Sequence, residues 1–206
     1  MTVRQSNKKD DEFRKAIESL RRLFPITEQQ LLQIEQFIKV RTFEQGHILT
    51  NEGQVEDHLN LVVTGLLRKF LIRKDREFTL QLATEGHLCQ SEISYLRRQP
   101  SEVVIEALEP TTVLSLSFAE MQRGLESNIG FDYMGFHLLV SIYILKDERH
   151  YKQLKFTARE KFLDFMANHP HMLQRVPQKY LASYLNIKPE TFSRLKHLIR
   201  TKKTKD

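Results

Sequence analysis

Between Lys188 and His197 the segment KPETFSRLKH gathers a carboxylate, two hydroxyls, a guanidinium, two ammonium groups and an imidazole within ten residues. Read as a helix starting at Pro189, Phe192 and Leu195 form an apolar stripe. Glu190, Thr191, Ser193, Arg194, Lys196 and His197 face away from that stripe or flank it. Such a mixture suits base edges and phosphates. A plainer use also exists for Glu190, because an acid in the first turn is favourable beside the positive end of a helix dipole.

Little elsewhere in the chain suggests bond-making chemistry. Eight histidines are present, among them His58, His87, His137 and His150, and none stands in a ligand spacing such as HExxH. A single cysteine, Cys89, can supply neither an internal disulfide nor the thiolates of an iron–sulfur cluster or structural zinc site. No nucleophile-and-base pair or paired carboxylates stand out. Neither a metal nor another cofactor is expected, and an enzyme is not expected.

Several elements must position the residues between 188 and 197. In a helix-turn-helix the first helix packs across the second, so apolar residues recur at set offsets around a tight turn. Leu181, Leu185, Ile187, Phe192 and Leu195 sit at those offsets, with the small Ala182 where the helices approach. Asn186 tolerates a left-handed backbone at the turn, and Pro189 falls at the first helical position, where its missing N–H is harmless. Upstream, Thr157 and Glu160 have capping-box spacing before AREKFLDFMANH, which Pro170 stops.

A longer helix is predicted from Asn128 to about Leu154. Phe131, Met134, Leu138, Ser141 and Leu145 follow a 3,4,3,4 spacing, while Ile129, Tyr133, Phe136, Val140, Tyr143 and Ile144 occupy much of the remaining circumference. A helix packed only on its own domain needs one apolar stripe, so the second face implies a partner helix, most simply that of a second copy. Full burial inside a monomer is the alternative.

From Arg41 to Ser117 the texture is that of short strands, HILT, LNLVVTG, LLRKFLI, FTLQLA, VVIEAL and TVLSLS, broken by turn signals such as NEG, RKDRE and TEG. This predicts an antiparallel β-roll or jelly roll. Ahead of it, residues 10–24 read as a helix, and Thr27 with Gln30 has capping-box spacing for a second, PITEQQLLQIEQFI. The fold class expected is α+β, divided as 1–127, 128–155 and 156–206.

Charge follows the same division. Although the net charge is only +6, residues 127–206 hold 15 Lys and Arg against 7 Asp and Glu, and the preceding part is slightly acidic. The tail RTKKTKD adds four bases, with Lys203 a candidate phosphate contact. No run of 18 apolar residues occurs, and the charged start MTVRQSNKKDDEFRK is followed by no apolar segment, so no membrane contact is expected and the location expected is cytoplasmic.

Taken together, the glycine spacing in EQGHILTNEG, LNLVVTGLLRKF and ATEG, the long helix, and RVPQKYLASYLNIKPETFSRLKHL resemble the Crp/Fnr family of transcriptional regulators over nearly the whole chain. The resemblance implies a homodimer of a cyclic-nucleotide-binding-like β-roll, a dimerisation helix and a winged helix-turn-helix. It also implies duplex DNA with a pseudo-palindromic operator as partner, RNA polymerase as a candidate partner and a small-molecule effector of unknown identity.

The family's recognition pattern, Arg-Glu-Thr and then Arg three residues on, falls on Pro189, Glu190, Thr191 and Arg194. Pro189 departs from it, and Lys188 is the candidate replacement. By this correspondence Glu190 accepts from a cytosine amino group and Arg194 donates to guanine, while Thr191, Lys196 and Gln178 hold phosphates.

In the effector pocket the correspondence breaks. Where cyclic-nucleotide-binding members carry Gly-Glu and then Arg-Ser or Arg-Thr, this chain has Gln90 and Ser91, then Ser101 and Glu102, with Glu92 one position from the expected acid. A cyclic phosphate would face a carboxylate unless Arg97 or Arg98 swung inward, so a response to cyclic AMP is not expected. Two other classes stay open at this point: a small-molecule sensor or protein-interaction module whose helix-turn-helix binds no DNA, and a structural dimer with a vestigial pocket.

Overall fold

The computed structural model describes residues 17, 18, 27, 28, 34–127 and 131–202. Apart from those first four positions, the helix expected over 10–24 and the Thr27–Gln30 capping box lie outside the described residues, as do Asn128 and Lys203.

Among the described residues, seven strands form two antiparallel sheets: β1 Ile38–Phe43, β2 Ile48–Thr50, β3 His58–Thr64, β4 Leu67–Arg73, β5 Arg76–Ala83, β6 Val104–Ala107 and β7 Thr111–Ser117. One sheet has the order β1-β7-β3 and the other β2-β6-β4-β5. Strand alternation sorts their apolar residues. In β3, Val62 joins Leu67, Ala83, Cys89, Ile105, Ala107 and Val113 in one core cluster. Its neighbours Leu61 and Val63 turn the other way and pack with Leu114, Ile17 and Val40.

β1 corrects the sequence reading, which carried a helix through Ile38. Helical geometry ends at Glu35, and Ile38 is already paired with Leu116. The apolar spacing of the helix ran on into the strand without a breaker. Gly65, at the β3–β4 turn, has φ +102, and a Cβ there would lie 2.5 Å from Thr111 Oγ1 and 2.6 Å from the Pro110 carbonyl. Lys74 and Asp75, both at positive φ, close the β4–β5 hairpin in two residues, the geometry whose twist matches the flanking strands.

Adjacent cations on β4 are both buried. Arg68 is 1% exposed, lies opposite Glu106 in the β4–β6 ladder with 2.9 Å between charged atoms, and sits over the Phe70 ring at 4.1 Å.

After β5 the helices among the described residues are α1 Glu92–Arg97, α2 Phe118–Glu126, α3 Phe131–Lys155, α4 Ala158–Asn168, α5 Met172–Arg175, α6 Gln178–Tyr184 and α7 Pro189–Lys202. Thr157 and Glu160 form the reciprocal capping box of α4, and the Ser117 hydroxyl accepts from the Glu120 amide at the start of α2. No strand follows α7 among the described residues. The chain divides into two compact units, residues 1–71 with 81–140, and residues 72–80 with 141–206. The described part is an α+β fold, a β-roll with a helical C-terminal region.

Candidate nucleic-acid interface and the polar cluster of the β-roll

In the second unit, Leu181 and Ala182 of α6, Leu185 at its end and Phe192 of α7 are buried. Phe192 meets Phe162 of α4 edge-on, with ring centroids 5.2 Å apart. The turn is closed by the Asn186 amide donating to the Ser183 carbonyl and the Ile187 amide to the Ala182 carbonyl, each at 3.0 Å. Asn186 has φ 53, the left-handed conformation expected of it. Pro189 opens α7, as its chemistry requires.

Burying Phe192 turns the opposite side of α7 to solvent. Lys188, Pro189, Glu190, Ser193, Arg194 and His197 are exposed, Thr191 and Lys196 half-buried, and Gln178 exposed on α6. The nine residues picked from the sequence thus lie on α6, α7 and the turn between them, with no hydrophobic side chain larger than proline among them.

Along α3, Phe136, Leu139, Tyr143 and Leu145 are each more than half exposed. Ser141, predicted with Leu145 on the same stripe, is exposed too. The side chains of Phe131, Met134 and Leu138 lie outside the described residues.

The β-roll presents the opposite arrangement. Lys69 on β4 points inward, and its Nζ donates to the Gln90 carbonyl at 2.9 Å and to the Glu92 carboxylate at 2.9 and 3.1 Å. Glu56, 3% exposed, accepts from the Thr50 hydroxyl at 2.7 Å and from the His58 and Ser91 amides at 3.1 and 3.3 Å. Ser101 donates to the Ser91 hydroxyl at 2.9 Å, and Ser94 bridges the Glu56 amide and the Gln99 carbonyl.

Gln90, Ser91, Glu92 and Ser101 therefore lie in one hydrogen-bonded cluster, while Glu102 is exposed and does not join them. Arg98 is engaged elsewhere, donating to the Glu56 carbonyl and pairing with Asp57 at 2.9 Å while lying over the Phe118 ring. Arg97 is exposed. The carboxylates that meet this cluster are Glu56 and Glu92. Buried in the adjoining core, Cys89 has its thiol pushed up to about 12, chiefly by desolvation. Half-buried His58 is held below its ordinary value, first by desolvation and then by Arg41.

Sequence reasoning missed Lys69 and Glu56. A signal for the first exists: two neighbouring cations in an otherwise apolar strand must project to opposite faces, so at least one faces inward. Among the described residues, no group of three or more His, Cys, Asp or Glu could hold a metal, and no helix is long and apolar enough to cross a membrane.

Residues 40–128 match the family model of the cyclic nucleotide-binding domain. The chain is similar to the solved structure of FixK2 from Bradyrhizobium japonicum, with TM-score 0.66, 15% identity, and 80% of this chain and 85% of that one covered. It is also similar to CLP, described as the c-di-GMP responsive global regulator of Xanthomonas campestris, with TM-score 0.61, 12% identity, and coverage of 85% and 93%. A third similar structure is the catabolite activator protein of Thermus thermophilus, with TM-score 0.52, 19% identity, and coverage of 86% and 85%. No curated protein matches the sequence. The β-roll is thus of the cyclic nucleotide-binding type. Over most of its length the chain shares the fold of these solved structures.

Proposed function

We propose that this chain is a homodimeric, sequence-specific DNA-binding regulator of transcription, located in the cytoplasm, that does not respond to cyclic AMP. The observation that carries the reading is the face of α7: Glu190, Ser193, Arg194 and His197 are exposed on a helix whose other side is locked by Phe192. Arg194 would read guanine and Glu190 cytosine, with Lys188 in place of the arginine that Pro189 lacks. Gln178, Thr191 and Lys196 would hold phosphates. Exposed apolar side chains on α3 support a second copy as partner, with 128–155 as the dimerisation segment between an effector part, 1–127, and a DNA-binding part, 156–206. Two recognition helices spaced by such a dimer would enter successive major grooves about 34 Å apart, which calls for a pseudo-palindromic operator. RNA polymerase is a candidate further partner.

The polar cluster supports the negative half of the proposal. A cyclic phosphate would meet Glu56 and Glu92 against one ammonium, Lys69, already satisfied by Glu92 and the Gln90 carbonyl. The cyclic nucleotide does not fit these residues.

Selection of bound sequences from a random duplex pool, followed by fluorescence anisotropy across a salt series, tests the reading. Expected are a palindromic consensus and affinity falling steeply with salt. A flat salt response with no enriched sequence would favour the protein-interaction module instead. Titration calorimetry with millimolar cyclic AMP should give no binding heat.

A further inference from the structure

The second compact unit contains a piece of strand as well as helices: residues 72–80, the tip of the β4–β5 hairpin. Two side chains join this tip to α6, the first helix of the helix-turn-helix. The Ser183 hydroxyl accepts from the Thr79 amide at 2.8 Å and donates, at a longer 3.4 Å, to the Glu77 carbonyl. One hydroxyl therefore spans two backbone groups of the same strand. The Arg149 guanidinium, from α3, donates through one nitrogen to the Leu80 carbonyl and through another to the Tyr184 carbonyl at 3.3 Å. It also lies 4.1 Å over the Tyr184 ring. Gln153 reaches the same Tyr184 carbonyl at 3.5 Å.

The Tyr184 carbonyl belongs to the last turn of α6, where helical partners run out and an outside donor is needed. Arg149 is largely withdrawn from water, and its pKa is lowered by that desolvation. A guanidinium so placed has little freedom to move while its donors are engaged.

None of these contacts is required to build the helix-turn-helix itself. Leu181, Ala182, Leu185, Phe192 and the Phe162 ring already hold α6 to α7 and α4. The hairpin contacts do something else: they fix the C-terminal end of α6, immediately before the turn, to an extended backbone. In these bonds the hairpin supplies main-chain atoms, the Thr79 amide and the Glu77 and Leu80 carbonyls, so this part of the seat depends on strand geometry.

We propose that Ser183 and Arg149 are positioning residues that seat the helix-turn-helix on the hairpin tip and so fix the direction in which α7 is presented to DNA. The proposal rests on the DNA-binding reading above for its consequence, but its structural half is measurable without DNA. Specific recognition needs α7 in one pose, whereas attraction to phosphates tolerates many. Loss of the seat therefore weakens binding to the selected duplex more than binding to a random one.

The test uses the full chain and four variants, Ser183→Ala, Ser183→Thr, Arg149→Met and Arg149→Lys. Amide hydrogen exchange at Thr79 is measured by NMR without DNA, and anisotropy with the selected and a random duplex follows. In Ser183→Ala, Thr79 exchange should rise about tenfold and affinity for the selected duplex fall about fivefold, the scale of one lost hydrogen bond, with the random duplex unchanged. Ser183→Thr keeps the hydroxyl and should restore both. Arg149→Met should reproduce the loss of selectivity, and Arg149→Lys should recover only part of it, since an ammonium cannot span two carbonyls as the planar fork does.

Unchanged Thr79 exchange in Ser183→Ala would overturn the seat. Faster exchange with selected-duplex binding equal to or tighter than the wild type would overturn its role in presenting α7. Failure of the wild type to bind any duplex would instead sink the DNA-binding reading, a result separate from the exchange measurement.

Discussion

The β-roll cluster and the face of α7 are built from similar side chains and treat them in opposite ways. Around Lys69, charged and polar groups are buried and bonded to one another: a lysine to a glutamate and a carbonyl, a second glutamate to two amides and a hydroxyl, a serine to a serine. On α7, Glu190, Ser193 and Arg194 face solvent. A buried charge must find its partner within the fold, since leaving it unpaired costs several kcal/mol. An exposed one costs nothing until a partner arrives and is the better candidate for recognition. The region that matches the cyclic nucleotide-binding domain thus holds its polar groups inward, and the outward-facing set lies in the other unit.

Substitutions can break this contrast, and the largest effect should come from Glu56. Removing a buried carboxylate that accepts three hydrogen bonds should cost about 4 kcal/mol in Glu56→Ala, read as a lowered urea midpoint. A loss below about 1 kcal/mol would show that solvent reaches those donors and that the cluster is less closed than described.

Lys69→Met comes next, at about 3 kcal/mol, because it removes the donor to the Glu92 carboxylate and the Gln90 carbonyl together. The double variant Lys69→Met with Glu92→Leu should be appreciably more stable than the single one, since an apolar pair of similar volume replaces a broken ion pair. Strict additivity in this cycle would mean that the two side chains are not coupled.

On the other side of the comparison, Arg194→Ala should leave stability within about 0.5 kcal/mol, as exposed positions do. Its effect should fall on recognition, with preference relaxed at one base pair per half-site by about 1–3 kcal/mol. Equal weakening on every sequence would reassign Arg194 to phosphate contact.

The smallest effect concerns Cys89. With its thiol raised to about 12 and fully enclosed, it should resist alkylation by iodoacetamide at pH 8 in the native protein and react at an ordinary rate once urea unfolds the chain. Native-state labelling faster than global unfolding would reveal local opening of the roll.

How far the sequence disclosed all this depended on range. The α6–turn–α7 pair was legible because its determinants lie within one short segment, 181–192: Asn186 for a left-handed residue, Pro189 for a helix start, Leu181, Leu185 and Phe192 for a stripe. The strands were legible from alternation, except for β1, where an apolar helical spacing ran on into Ile38 without a breaker. The polar cluster was half legible. Gln90, Ser91, Glu92 and Ser101 were identified by position, but Lys69 pairs with a residue 23 positions away, and no local pattern announces such a partner. Glu102 shows the limit of positional correspondence, because one residue beyond buried Ser101 the side chain already faces solvent.

Arg68 has a consequence for the register of its sheet. Its guanidinium is neutralised by Glu106 only when β4 and β6 zip in the native alignment, with the two residues directly opposite. A strand slipped by one position would move the cation away from its anion, so the native register is favoured over its neighbours. The pair thus ties the energy of two charges to a single alignment of β4 against β6.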